Sequence, residues 1–143
     1  MIATCVHGTG PSLGTPARAH LYSEQTAFPL TVGADYHVMG IGVWGTVLVA
    51  LVIDDGRNPT WLPAGLFEIE PQRIPADWEF ALLDGAAASV GEPDRGWVAM
   101  WGYPELVRDE SHSDALLERD QEALDVCFRE LAKRPNWKTP PQT

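Results

Sequence analysis

One stretch limits the fold of this chain more than any other. It runs Val47-Leu48-Val49-Ala50-Leu51-Val52-Ile53, then Asp54-Asp55-Gly56-Arg57-Asn58, then Pro59 to Ile69. Thr46 to Ile53 is almost continuously apolar and β-branched, the pattern of a strand buried on both faces. Asp54-Asp55-Gly56 has the chemistry of a tight turn, because glycine accepts positive φ and aspartate bonds its own backbone. Pro63 has no N–H to give a ladder, so Leu62-Pro63-Ala64-Gly65 is expected to turn before a short strand at Leu66–Ile69. Strand, acidic turn, tryptophan, turn and strand in this order commit the chain to an antiparallel sheet.

The remaining punctuation extends that sheet. Tyr36–Ile41 reads as a strand, with Gly40 and Gly42 marking a bulge or a close backbone approach. Trp44-Gly45 is expected to turn. Glu79–Leu83 and Trp97–Trp101 read as two further strands, separated by a loop over residues 84–96. Gly8, Gly10, Pro11, Gly14 and Pro16 break any periodicity near the start, so residues 1–20 are expected to be a flexible segment. No internal repeat is visible.

Beyond Pro104 the pattern becomes helical. Glu105–Val107 is expected to make one turn, and Ser113 to cap a long helix ending before Pro135. Leu117, Leu124, Phe128 and Leu131 would line its buried face. Asp125 with Arg129 and Glu130 with Arg134 are i,i+4 pairs in the favourable order. The expected architecture is α+β: a small, strongly bent antiparallel sheet or SH3-like barrel with a C-terminal helix. Residues 21–134 form its single domain, with the sheet over 30–103, the helix over about 113–134 and a tail over 135–143.

Charge narrows the function. Twenty acidic residues face ten basic ones, a net charge of −10. Such a surface repels phosphates, so nucleic acid is not an expected partner, whereas a basic protein is. Six tryptophans in 143 residues exceed what a core of this size requires, so some are expected at the surface as anchors. No run approaches the roughly 20 apolar residues of a membrane span. No secretory pattern is visible at the N-terminus, and Cys5 and Cys127 read as free thiols, which makes the cytoplasm the expected compartment.

Residues able to carry chemistry are few. Phosphate loops, nucleophile elbows and paired-cysteine zinc sites are missing from the sequence, so neither enzymatic activity nor a cofactor or metal is expected. Cys5-Val6-His7 reads as incidental, and His37 as a half-buried structural histidine. His112 lies among Asp109, Glu110 and Asp114, acidic neighbours of the kind that raise a histidine pKa or help hold a metal, although helix N-termini attract acidic residues in any case. Ser111-His112-Asp114 has triad residue types, but sequence neighbours lack triad geometry. An enzyme would require His37 or His112 to meet a carboxylate across a concave site.

Trp61-Leu62-Pro63-Ala64 followed by Leu66-Phe67-Glu68 resembles the Trp-x-Pro-Ala region of SH3 domains. The likeness covers about a dozen residues, extended to roughly 30–83 by the surrounding strands. The Ala-Leu-Tyr-Asp-Tyr segment of peptide-binding SH3 domains is missing, which argues against proline-rich ligands. In size, charge and general appearance the chain also resembles small acidic bacterial immunity proteins. That resemblance implies stoichiometric inhibition of a basic toxin or enzyme, without turnover or cofactor. The expected contact set is Trp44, Asp54, Asp55, Trp61, Asp109, Glu110, Asp114, Glu118 and Glu122. The alternative is a small-ligand or regulatory module with an apolar cleft holding Trp44, Trp97 or Trp101.

Overall fold

A computed structural model describes residues 1–9, 27–83 and 96–134. The apolar run forms the central strand β3, Val47–Ile53, in which every residue but Leu48 is buried. One edge of β3 pairs with β4, Pro59–Pro63, and the other with β2, Asp35–Trp44. A 3-10 turn at Ala64–Leu66 follows β4 where Pro63 ends the ladder, and β5, Phe67–Glu68, comes next.

At ten residues, β2 is long enough to serve two neighbours along its second edge. Its first residues pair with β1, Ile2–Cys5, and residues from Gly40 onward pair with β7, Trp97–Gly102. β5 lies outside β1, and β6, Glu79–Leu82, lies outside β7. All seven strands are antiparallel members of one open sheet whose main order is β4-β3-β2-β1-β5.

The flexible segment expected over residues 1–20 is therefore corrected at its start. Ile2–Cys5 is a strand because it has two ladders to join and alternates correctly, with Ala3 and Cys5 both buried. The remainder of that segment beyond residue 9, the loop at 84–95 and the tail at 135–143 lie outside the described residues.

Two irregularities shape the sheet. Between Val38 and Gly40, β2 advances two residues while β3 advances one, which leaves Met39 as the extra residue. Between Val43 and Trp44, β2 advances one residue while β7 moves from Ala99 to Trp97, which leaves Val98 extra. Gly40 and Gly42 sit in the same stretch. A Cβ at Gly40 would lie 2.5 Å from Leu106 Cδ2, and one at Gly42 2.6 Å from Trp97 Cζ3. Both glycines are notches over which larger side chains lie flat, so bulge and close approach are both present.

Each face of the sheet carries a core. Tyr36, Val38, Ala50, Val52 and Leu62 pack with Ala3, Cys5, Leu66 and Phe67 on one side. Met39, Leu51, Ile53 and Met100 pack under the helices on the other, together with Tyr103, Leu106, Leu116 and Cys127.

The single helix expected over 113–134 is two helices. After α1, Pro104–Arg108, come α2, Glu110–Leu117, and α3, Gln121–Ala132. Arg119 adopts φ 59° between them, and Asp120 caps α3 by accepting from the Ala123 N–H at 3.1 Å. Ser113 is no cap; it is buried inside α2, and Asp109 caps that helix by accepting from the Ser111 N–H. The break moves the buried faces. Leu117 is 68% exposed, and the α3 stripe centres on Ala123, Cys127 and Glu130, with Leu124, Phe128 and Leu131 flanking it.

The ion pairs also connect elements where i,i+4 pairing was expected. Arg129 reaches Glu105 at 3.0 Å and Arg134 reaches Asp77 at 3.0 Å, whereas buried Glu130 pairs locally with Lys133, three residues on, at 3.0 Å. Arginine is long enough to find carboxylates on neighbouring elements, and those contacts tie α3 to α1 and to the sheet.

Candidate functional site: a tryptophan cleft under helix α2

Strict alternation along β7 would set Trp97 beside Ala99 and Trp101, facing away from the helices. The extra residue Val98 turns Trp97 to the helix side, where it pairs with Trp44 and lies over Gly42. The Trp44 and Trp97 rings meet at 87° with centroids 5.1 Å apart. Trp61 leans on Trp97 at 4.7 Å and donates its Nε1–H to Ser113 Oγ at 2.9 Å. That bond fixes the rotation of α2 over the sheet, because Ser113 is 3% exposed and its hydroxyl has been taken out of water.

Residues Glu110, Ser113 and Asp114 are three and four apart, so one face of α2 presents all of them. They line a cleft of about 260 Å³ with Trp44, Leu83, Gly96, Trp97, Met100, Leu106 and Val107. Among the described residues its polar side chains are two carboxylates, a hydroxyl and the indoles, and none of them is basic. Neither Glu110 nor Asp114 has an ion pair or side-chain hydrogen bond among the described residues.

The cleft brings together only part of the expected contact set. Trp44, Glu110 and Asp114 line it, and Trp61 supports its back wall. Asp109 is not in the lining and caps α2, and the Ser111 hydroxyl and N–H hold its carboxyl below the usual range. Glu118 is exposed at the C-terminal end of α2, and Glu122 in the first turn of α3.

Asp54 and Asp55 are elsewhere. They follow the last residue of β3, whereas Trp44 pairs with its first, which separates them by roughly 20 Å of strand. Asp54 is 5% exposed and accepts from the N–H groups of Gly56 and Asn58 and from Thr60 Oγ1. Asp55 accepts from the Tyr36 phenol at 2.6 Å and from Thr31 Oγ1 at 2.9 Å. Burial, with that bond to Asp55 next, pushes the Tyr36 phenol up to about 12. Both aspartates hold the turn together, and Asp54 is withdrawn from any surface contact set.

Of the three tryptophans named for an apolar cleft, Trp44 and Trp97 line this one and Trp101 does not. Trp101 lies on the opposite sheet face, stacked at 4.5 Å with exposed Phe80. Sequence reasoning missed Ser113, Leu106 and Met100 as lining residues. The notches at Gly40 and Gly42 were the signal that something large lies across β2.

The other described candidates, His112, Cys5 and Cys127, are buried. His112 faces inward from α2 and shares a 2.6 Å hydrogen bond between its Nε2 and the Tyr103 phenol. Burial lowers its pKa and outweighs the pull of Asp109 and Glu105 in the other direction, which corrects the expected rise. The Cys127 thiol is pushed up to about 11, chiefly by burial, and burial also raises that of Cys5. Both cysteines are free and buried. Among the described residues no group of three or more His, Cys, Asp or Glu side chains could hold a metal ion. None of the described helices is long and apolar enough to cross a membrane.

No protein-family model matches this chain, and no curated protein or solved structure matches it either.

Proposed function

We propose that this protein is a non-enzymatic binding module that docks a basic partner protein on its α2 side. Its most concrete form is an immunity-type inhibitor that neutralises a bacterial toxin or enzyme by stoichiometric binding in the cytoplasm, with no cofactor. The observation that carries this reading is the cleft, where two indoles meet two carboxylates that have no cation among the described residues. Glu118, one turn beyond Asp114, and Glu122, in α3, are also exposed, and the net charge of −10 favours encounter with a basic protein. The likeness of Trp61–Ala64 to the SH3 rim, and with it an SH3-like barrel, fits a scaffold of this kind.

The test is capture of a partner from the source lysate at low and moderate salt, identified by mass spectrometry. One basic protein that elutes with salt is the expected result. Replacing Asp114, Glu118 and Glu122 together with lysine should slow its association roughly tenfold or more and flatten the salt dependence. An unchanged association rate would remove the electrostatic component.

The indole-lined, largely apolar walls of the cleft support a second reading, a small-ligand module. In that case a metabolite would quench tryptophan fluorescence with no protein present.

A further inference from the structure

We infer that the cleft is a receptor for a single guanidinium group, so that the anchoring side chain of the partner is an arginine. This rests on the docking reading above and gives it a chemical identity.

Size comes first. Sites for whole small molecules usually run from about 300 to 1,000 Å³, and this cleft holds about 260 Å³. It is matched to one side chain, while a nucleotide or an extended peptide would exceed it.

The lining then selects the charge. Trp44 and Trp97 present indoles at right angles, and a cation beside an indole face is attracted by the ring quadrupole. Glu110 and Asp114 stand one helical turn apart with no cation of their own among the described residues. Arg108, just before α2, is paired with Glu79, and Arg119, just after it, bonds the carbonyls of Pro59 and Leu116. Both described arginines that flank α2 are therefore engaged elsewhere.

The type of cation follows from the same groups. A hard metal ion needs about six oxygen ligands, and two carboxylates beside indoles do not supply them. An ammonium is a strongly hydrated point charge that loses water on entering an apolar cleft. A guanidinium is planar, weakly hydrated and able to stack on an indole while its fork of donors bonds carboxylates. Ser113 Oγ, already accepting from Trp61, sits deeper in the same wall.

The experiment titrates the full chain with N-acetyl-arginine amide and with N-acetyl-lysine amide, following the six indole N–H signals by NMR. Saturable shifts of the Trp44 and Trp97 signals are expected with the arginine compound, at several-fold lower concentration than with the lysine compound. Glu110→Gln and Asp114→Asn, both at exposed positions, should each weaken arginine binding roughly tenfold, the effect of one charge-assisted contact. Equal response to the two probes, no saturable shift, or full binding by the double variant would overturn the inference.

The two proposals fail separately. A captured partner held equally well by the Glu110→Gln/Asp114→Asn variant would leave docking intact and sink the guanidinium site. Saturable arginine binding with no protein captured would keep the site, sink the docking reading and make the occupant a free guanidinium compound.

Discussion

The two ends of β3 present the same residue types, carboxylates beside aromatic rings, in opposite states. At the Asp54–Asp55 turn every carboxylate oxygen has a partner: two backbone N–H groups and a threonine hydroxyl for Asp54, a phenol and a threonine hydroxyl for Asp55. At the cleft, Glu110 and Asp114 have none among the described residues, and two indoles stand beside them. A satisfied carboxylate maintains the fold, because removing it leaves half-buried donors without their acceptor. An unsatisfied one at the mouth of a cleft is available to a ligand. Residue type therefore says little about which acidic residues bind, and hydrogen-bond saturation says much more.

The largest effect that tests this contrast is Asp54→Ala. It leaves the Gly56 and Asn58 N–H groups without their acceptor and the Thr60 hydroxyl with only the longer bond to the Asn58 carbonyl, and urea unfolding should show a loss of about 3 kcal/mol. A loss no greater than that of Asp114→Ala would break the comparison.

Gly42→Ala should come next, at about 2 kcal/mol. Its Cβ meets Trp97 Cζ3 at 2.6 Å and the Ala99 carbonyl at 3.3 Å, so the ring must move. The Trp97 indole signal should shift with it, whereas the turn should be undisturbed.

Acid should act through the cores beneath both ends. Burial and the positive charges of the N-terminus, Arg134 and Arg57 lower the folded pKa of His37 from 6.5 to about 3. Burial lowers that of His112 in the same direction. The unfolded chain therefore binds these protons first. Stability is complete above about pH 6.5 and falls toward pH 3 by up to about 1.4 kcal/mol per pH unit for His37 alone. His37→Gln should flatten this slope in unfolding measured across that window; an unaltered slope would contradict the assignment.

Tyr36→Phe should remove about 1 kcal/mol by breaking the bond to one Asp55 oxygen and the one accepted from the Thr31 N–H, with the cleft unaffected. The smallest effect belongs to Glu110→Gln and Asp114→Asn, each within about 0.5 kcal/mol by urea unfolding, since neither carboxylate supports the fold. A large loss from either would place the cleft in the same class as the turn.

Much of the sheet was legible because its signals are local. The apolar run of β3, the Asp-Asp-Gly turn and the glycines of β2 each act within a few residues, and the structure follows them. The strand at Ile2–Cys5 was hidden, because four residues before a glycine- and proline-rich stretch carry little pattern of their own. Its ladders come from β2 and β5, distant in sequence. The break at Arg119 was hidden by a helical periodicity that continues through it, although Asp120 is a good cap residue.

For the candidate site, composition pointed to tryptophans and acidic residues without sorting them. Asp54 and Glu110 look alike in sequence and differ only in the atoms around them.

The sequence by itself determined the antiparallel sheet, its principal turns, the helical C-terminal region and the acidic balance, since each is a property of neighbouring residues or of a sum. Tertiary structure alone decided which tryptophans share a cleft. One extra residue in β7 turns Trp97 across the sheet, and the Ser113–Trp61 bond sets the face of α2. Both depend on register and packing between segments far apart in the chain, where local pattern has no influence.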